Sequence, residues 1–199
     1  MPSGRKREFD EKEALSAAME TFWNKGYAGA SLSDLTKSMG INKPSMYSVF
    51  GNKEALFIKA TQLYIEQKAK SHFKILFESN VSFKVRLKSY LLSIVTAQCE
   101  TDNPKGCYLA LCESEIVGGD MPEEAIRILK NASSDTQAML IEVFTTDTES
   151  IALGLNINAK RTALCVTTTL KGTAAMARSG VSLAELEYVI DNCLTGIGV

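Results

Sequence analysis

Histidine and tryptophan each occur once in the 199 residues, as His72 and Trp23. No stretch approaches the ~20 consecutive apolar residues that a membrane helix needs, so no membrane partner is expected. A single histidine, with no serine or cysteine nucleophile pattern near it, leaves catalysis little to stand on. The five cysteines match no common zinc spacing, so neither a metal nor a cofactor is expected. The opening Met1-Pro2-Ser3-Gly4-Arg5-Lys6-Arg7-Glu8 has the charge of a signal peptide with no apolar stretch behind it. The expected location is therefore cytoplasmic, with the cysteines as thiols rather than disulfides. Excess charge is also missing: the net charge is −1, which argues against indiscriminate binding to nucleic acid. Residues 1–60 carry nine Lys and Arg against seven Asp and Glu, and the remainder thirteen against sixteen. A nucleic-acid function must then rest on where the cations sit, not on their total. Internal repeats and low-complexity tracts are absent.

The most informative stretch is SLSDLTKSMGINKPSMYSVFGNKEALF, from Ser31 to Phe57. Ser31 followed three residues later by Asp34 is a capping-box-like helix start. Leu32, Leu35 and Met39 repeat at i, i+3, i+7 and make one apolar face. Gly40 falls where a helix ends with positive φ, and Ile41 is the one apolar residue of the turn. A second helix is predicted from Asn42 or Lys43, with Asn42 as cap and Pro44 in the first turn, where a missing N–H does no harm. Met46 and Phe50 form its inner face, Gly51 ends it, and Asn52 caps the next helix. Two short helices joined by a tight turn form a helix-turn-helix, whose second helix can enter a DNA major groove. Its outward residues are Lys43, Ser45, Tyr47 and Ser48, with Lys53 following. No acid interrupts them from Lys43 to Lys53, and these are groups that reach phosphates and base edges. Upstream, Leu15, Ala18, Met19 and Phe22 give a first helix over roughly Asp10 to Lys25 its inner face. Arg5, Lys6 and Arg7 precede that helix, in reach of a flanking phosphate or minor groove.

From about Arg7 to Leu63 the chain resembles the amino-terminal domain of TetR-type transcriptional repressors. The resemblance lies in Phe22-Trp23-Asn24-Lys25-Gly26-Tyr27, Ala30-Ser31-Leu32-Ser33-Asp34-Leu35, Gly40-Ile41, Ser45-Met46-Tyr47 and Phe50-Gly51-Asn52-Lys53-Glu54-Ala55-Leu56-Phe57. Together these pieces are specific, whereas Phe-Gly-Asn-Lys-Glu alone is only a helix stop and start. Ser48-Val49 departs from the aromatic and histidine that many members carry there, so the operator of relatives does not transfer. The resemblance implies an all-α fold: a three-helix helix-turn-helix head, a linking helix, and a larger helical ligand-binding and dimerisation body. The expected division is residues 6–66 for DNA binding and 67–199 for effector binding and dimerisation. The expected DNA contacts are Ser31, Ser33, Lys43, Pro44, Ser45, Tyr47, Ser48 and Lys53. By the resemblance Lys43 and Ser45 face bases, while Tyr47 and Lys53 mostly hold phosphates.

Beyond the head, helical patterning continues from Asn52 to about Phe77, breaks at Asn80 and Ser82, and resumes through Val85, Tyr90, Leu91, Ile94 and Val95. Thr101 to Gly106 is the clearest loop. A short helix is predicted over Cys107 to Val117, and a long one from Pro122 that reaches Leu153. Asn158 to Ala177 is rich in small residues, including Ala163, Gly172, Ala174 and Ala175, with Leu164 and Leu170 among them. Ser182 to Leu194 is amphipathic and opens with another capping box at Ser182 and Glu185. This ending resembles the helix pair with which TetR-type proteins dimerise. Aromatic residues on successive helices suggest an apolar effector pocket, with Tyr90, Cys107, Tyr108, Met139 and Phe144 as ligand-binding candidates and Phe73 and Phe77 nearby. Cys107 follows Pro104-Lys105-Gly106 at a helix start, a setting that favours a reactive thiol.

The resulting expectation is a non-enzymatic, ligand-responsive repressor. It would bind double-stranded palindromic operator DNA as a homodimer and be released by a small-molecule effector or a thiol-reactive signal. A cysteine-dependent redox enzyme would leave the head unexplained, and a helical adaptor without DNA binding would leave the basic outward face unexplained.

Overall fold

A computed structural model describes residues 9–199, which fold into ten α-helices with three intervening 3-10 segments and, among the described residues, no strand. Arg5, Lys6 and Arg7 lie outside the described residues. Helix α1 (Glu11–Gly29) begins at Asp10, whose carboxylate accepts the backbone N–H of Lys12 at 2.7 Å. It is broken at Gly26 (φ 73, ψ 179), where the amphipathic run was expected to end. Helix α2 (Leu32–Ser38) has the full capping box: Ser31 Oγ accepts from Asp34 N at 3.1 Å while Asp34 Oδ2 accepts from Ser31 N at 3.1 Å. It closes with Ile41 N–H on Thr36 O (3.1 Å) and Gly40 N–H on Lys37 O (3.3 Å). That double bond pattern needs a left-handed residue between the two, and Gly40 supplies it at φ 65. Helix α3 (Lys43–Phe50) starts on the Asn42 cap, and α4 (Lys53–Gln67) on the Asn52 cap, each through a 2.8 Å side-chain bond.

The predicted linking helix is shorter than expected. After Gln67 the chain tightens into a 3-10 segment, Ala69–Phe77. Helix α5 (Phe83–Cys99), the short α6 (Tyr108–Ser114), α7 (Glu123–Thr146) and α8 (Thr148–Ala152) follow. The long helix expected to reach Leu153 is thus cut at Asp147. The reason is chemical: the Asp147 side chain accepts N–H bonds from Glu149 and Ser150 and caps a new helix, while its other oxygen takes Arg86 Nη2 at 2.8 Å. Arg86 is itself buried and also donates to the carbonyls of Leu76 and Val81, so one guanidinium ties three chain segments. Helices α9 (Ala159–Arg178) and α10 (Leu183–Gly196) complete the body, α10 starting on the predicted Ser182–Glu185 capping box.

Two apolar cores result. One spans α1 to α4 through Phe22, Leu35, Met46, Phe50, Leu56 and Phe57 and continues into Tyr108 and Cys112 of α6 and Ala125 and Leu129 of α7. The other joins α5, α7, α9 and α10 through Leu87, Leu91, Phe144, Val166 and Ile190. The head therefore shares its core with the first part of the body, so a displacement of α6 or α7 is felt by the helix-turn-helix.

Candidate nucleic-acid interface and effector cavity

The inward residues of α2 and α3 fix which residues turn outward. With Leu35 and Met46 fully buried and Met39 and Phe50 nearly so, Ser31, Ser33, Lys43, Pro44, Tyr47 and Ser48 are exposed and Ser45 half-buried. All lie on the outer side of the helix pair. Ser31 is in part committed to its cap, since its hydroxyl also donates to Asp34 at 2.7 Å. Asp34, in the first turn of α2, is paired with Lys25 at 2.6 Å, and this bond with those from Ser31 lowers its carboxyl to about 2. Lys53 is held at the start of α4 with Nζ 4.6 Å from the Tyr27 ring centroid, and partial burial lowers its pKa. Tyr27 is in turn wedged against Phe22 and Phe57. The cation is thus positioned by packing rather than free on a flexible stem.

Behind the head a cavity of about 150 Å³ opens between α1, α4, the 3-10 segment, α5, α6, α7 and α9. Of the five predicted ligand residues the structure brings Tyr90 and Cys107 to its wall, with Phe73 beside them. Tyr108, Met139 and Phe144 are not on that wall. Tyr108 is buried in the head-side core with its hydroxyl 2.8 Å from that of Thr61, and Met139 and Phe144 belong to the packing of the second core. Phe77 is largely exposed. Sequence reasoning missed Trp23, Tyr64 and Gln98, whose helical periodicity marks them as buried without saying that a cavity lies beside them. His72 also stands on the wall, bonded to Ser93 at 2.9 Å and with its pKa lowered by burial.

Cys107 owes its position to Gly106. That glycine donates to Gln98 O at 2.8 Å with φ +84, and a Cβ there would sit 2.7 Å from the carbonyl of Ala174. The loop can press against α9 only because no side chain intervenes. Cys107 is then half-buried, and its sulfur accepts from Tyr64 Oη at 3.6 Å.

The outward faces of α9 and α10 form a second surface. Leu164, Met176, Tyr188 and Val189 are 56%, 49%, 71% and 44% exposed, with Cys165, Thr168, Gly172 and Ala175 between them. Ala163, Leu170 and Ala174, counted by sequence among the residues for close helix approach, turn into the protomer's own core.

A helix-turn-helix head sharing its core with a cavity-bearing helical body defines the class of this protein, and the known proteins it resembles agree. Residues 14–60 match the bacterial regulatory proteins of the tetR family. The HTH-type transcriptional repressor ComR of Escherichia coli (strain K12) is 37% identical over 106 residues, which is 53% of this chain and 50% of ComR. The uncharacterized HTH-type transcriptional regulator YezE of Bacillus subtilis (strain 168) is 35% identical over 106 residues, 53% of this chain and 54% of YezE. The chain spans about half the length of the curated relatives it matches. Over nearly the whole length it superposes on cysteine mutants of the TetR family transcriptional regulator CifR complexed with 26-base-pair double-strand operator DNA. One has a TM-score of 0.84 and 28% identity, the other 0.87 and 29%, each covering 96% of this chain and 98% of CifR. Residues 14–60 thus carry the head of the tetR family of bacterial regulatory proteins, and the whole chain is similar in fold to TetR family transcriptional regulators. Among the described residues no group of acids, histidines and cysteines could hold a metal ion, and no helix is long and apolar enough to cross a membrane.

Proposed function

We propose that this chain is a sequence-specific transcriptional repressor of the cytoplasm that binds a palindromic operator as a homodimer and is released by a signal received in the cavity. In this reading residues 6–66 bind DNA and residues 67–199 carry effector binding and dimerisation. The observation that carries it is the outward face of α3. Its run of Lys43, Pro44, Ser45, Tyr47 and Ser48 has no acid, and it stands on a core that leaves the helix nothing else to do with those side chains. Ser31 and Ser33 of the α2 start and Lys53 of α4 flank it, in position for phosphates. The CifR complexes with operator DNA and the repressor ComR support the same use of this surface.

Lys43 and Ser45 are assigned to base edges, Tyr47 and Lys53 to phosphates. Competition binding against random DNA tests that division. Lys53→Ala should weaken every sequence alike and lower the salt dependence by about one phosphate contact, whereas Ser45→Ala should alter preference among operators. Equal loss of specific and random binding in both variants would defeat it.

The exposed apolar faces of α9 and α10 support the homodimer, because a monomer would leave Leu164, Met176, Tyr188 and Val189 to water. Cys107 on the cavity wall supports a thiol-reactive version of the release signal. If that version holds, Cys107 reacts with iodoacetamide faster than the other four cysteines, and Cys107→Ser keeps operator binding but loses the response. Slow labelling of Cys107 leaves reversible ligand binding as the release mechanism.

A further inference from the structure

Two residues on the cavity wall, Tyr90 and His72, each carry a polar atom without a partner among the described residues. Tyr90 is 1% exposed, yet its hydroxyl forms no hydrogen bond and is not sealed off by its neighbours, so it opens into the cavity that the ring lines. Burial raises its pKa, so the hydroxyl stays protonated and can both give and accept a hydrogen bond. On His72 the free atom is Nε2. Its Nδ1 lies 2.9 Å from Ser93 Oγ, and that hydroxyl gives its one proton to Tyr90 O at 2.7 Å. The imidazole must then be the donor to Ser93, so the neutral ring holds its proton on Nδ1 and leaves Nε2 as an acceptor. Burial lowers the His72 pKa against the opposing pull of Glu100, which keeps the ring neutral near neutral pH. Native structures seldom leave such groups unmatched, and here the partner is whatever fills the cavity.

The charges on the same wall balance. Lys171 pairs with Glu113. Lys68 and Glu100 form no ion pair among the described residues, but Asn103 stands between them, its oxygen taking Lys68 Nζ at 3.4 Å and its nitrogen giving to Glu100 at 3.2 Å. An anion drawn to Lys68 would have Glu100 and the His72 lone pair against it, and a cation drawn to Glu100 would have Lys68. A neutral ligand meets neither cost and loses least on leaving water. The apolar part of the wall includes Phe73, whose ring stacks on Tyr90 at 5.8 Å, with Ile94 and Leu109.

We infer that the cavity binds a small, neutral, largely apolar molecule carrying a hydroxyl group, of the phenol or alcohol class, with that hydroxyl taken up by His72 Nε2 and the Tyr90 hydroxyl. This rests on the reading of the cavity as the effector site and adds the ligand class and its polar anchors. A hydroxyl is the smallest group that both donates and accepts, whereas a ketone or ether would leave Nε2 unmatched. Ser93 ties the two anchors together, since its Oγ bonds both the His72 ring and the Tyr90 carbonyl. The cavity of about 150 Å³ sets the size, because apolar cavities of that volume hold a molecule about as large as benzene. Tyr64 of α4 lines the same cavity, so the ligand bears on the helix that begins at Lys53.

Three probes test the inference: phenol, toluene with a methyl in place of the hydroxyl, and benzoate with a charge. Because the chain has a single histidine, the ring nitrogens of His72 are followed without ambiguity in the full-length ¹⁵N-labelled protein. Phenol should shift the Nε2 resonance upfield saturably at constant pH and leave the proton on Nδ1, whereas toluene should not. By calorimetry phenol should bind roughly tenfold more tightly than toluene, which would bury both polar atoms unmatched. Benzoate should bind more weakly than phenol. In the double variant His72→Leu, Tyr90→Phe, phenol and toluene should bind within about twofold of each other. An Nε2 resonance unmoved at saturation, equal affinities in the wild type, tighter binding of benzoate, or no binding of phenol would each overturn the inference. The wild-type measurements decide the matter even if the double variant fails to fold. Operator titration of the wild type, with and without phenol, reports separately on the regulatory reading.

Discussion

The break in α1 at Gly26 frees a donor and an acceptor, and the body supplies a partner of opposite charge to each. Tyr27 N–H, which a continuous helix would give to Trp23 O, donates to Glu115 Oε2 at 2.7 Å. Trp23 O accepts instead from Arg178 Nη1 at 3.0 Å, and Asn24 O from Arg178 Nη2 at 2.6 Å. Arg178 ends α9 and also reaches Lys105 O in the loop before Cys107, so one side chain joins α9, the cavity loop and the head. Replacing Arg178 by Met keeps the aliphatic stem and removes the donors. Hydrogen bonds to a charged group contribute about 1.5–3 kcal/mol each when buried, but Arg178 is exposed. Solvent screening discounts the total to about 1–2 kcal/mol. For a chain of this length each kcal/mol lowers Tm by roughly 2–4 °C, giving an expected fall of about 2–8 °C. Calorimetric melts measure it, with operator titration of the folded variant reporting how far the head has loosened. On the other side of the break, Glu115→Gln should cost less than Glu115→Leu, because the amide oxygen still accepts from Tyr27 while leucine leaves that N–H unpaired. An unchanged Tm in Arg178→Met, or the reverse order of the two Glu115 variants, would refute the account of this seam.

The buried Thr61–Tyr108 hydroxyl pair predicts an asymmetry: Thr61→Val strips Tyr108 of its partner and should cost about 1–3 kcal/mol, while Tyr108→Phe leaves Thr61 bonded to Phe57 O and should cost about 1 kcal/mol or less by denaturant titration. The Asp34 carboxyl lies below its ordinary value, so its stabilising effect is complete above pH ~4 and lost as pH falls towards about 2. Acid titration followed by circular dichroism should find Asp34→Asn less sensitive across that window than the wild type. On the outer face of α9, Gly172→Arg should leave helicity intact but yield a 21.7 kDa species by light scattering and weaken operator binding by at least tenfold. Arginine at Leu170 or Ala174 would instead disrupt the protomer core, since both side chains point inward.

Local chemistry made the head legible in sequence. Ser31, Asn42, Asn52 and Ser182 each cap the helix expected of them, because a cap is decided within four residues. The cut at Asp147 was hidden because the segment reads as one amphipathic helix. Only the distant Arg86 and the downstream N–H groups show that the aspartate is a cap. The cavity wall was partly legible for a related reason. Helical periodicity separates buried from exposed, which found Tyr90 and Phe73, but it does not distinguish Tyr108, packed against Thr61, from Tyr64, facing the cavity. The same limit applies to α9, where small residues mark both the inward Ala174 and the outward Gly172 and Ala175.

The measurement that bears most directly on the proposed function is selection of bound sites from fragmented genomic DNA, followed by the mass of the complex on the best site. The account predicts an inverted repeat with half-sites about one or more helical turns apart, bound by at least two chains of 21.7 kDa, with Ser45→Ala selecting a different repeat. Enrichment of sites without two-fold symmetry, a complex holding a single chain, or no enrichment at all would contradict it.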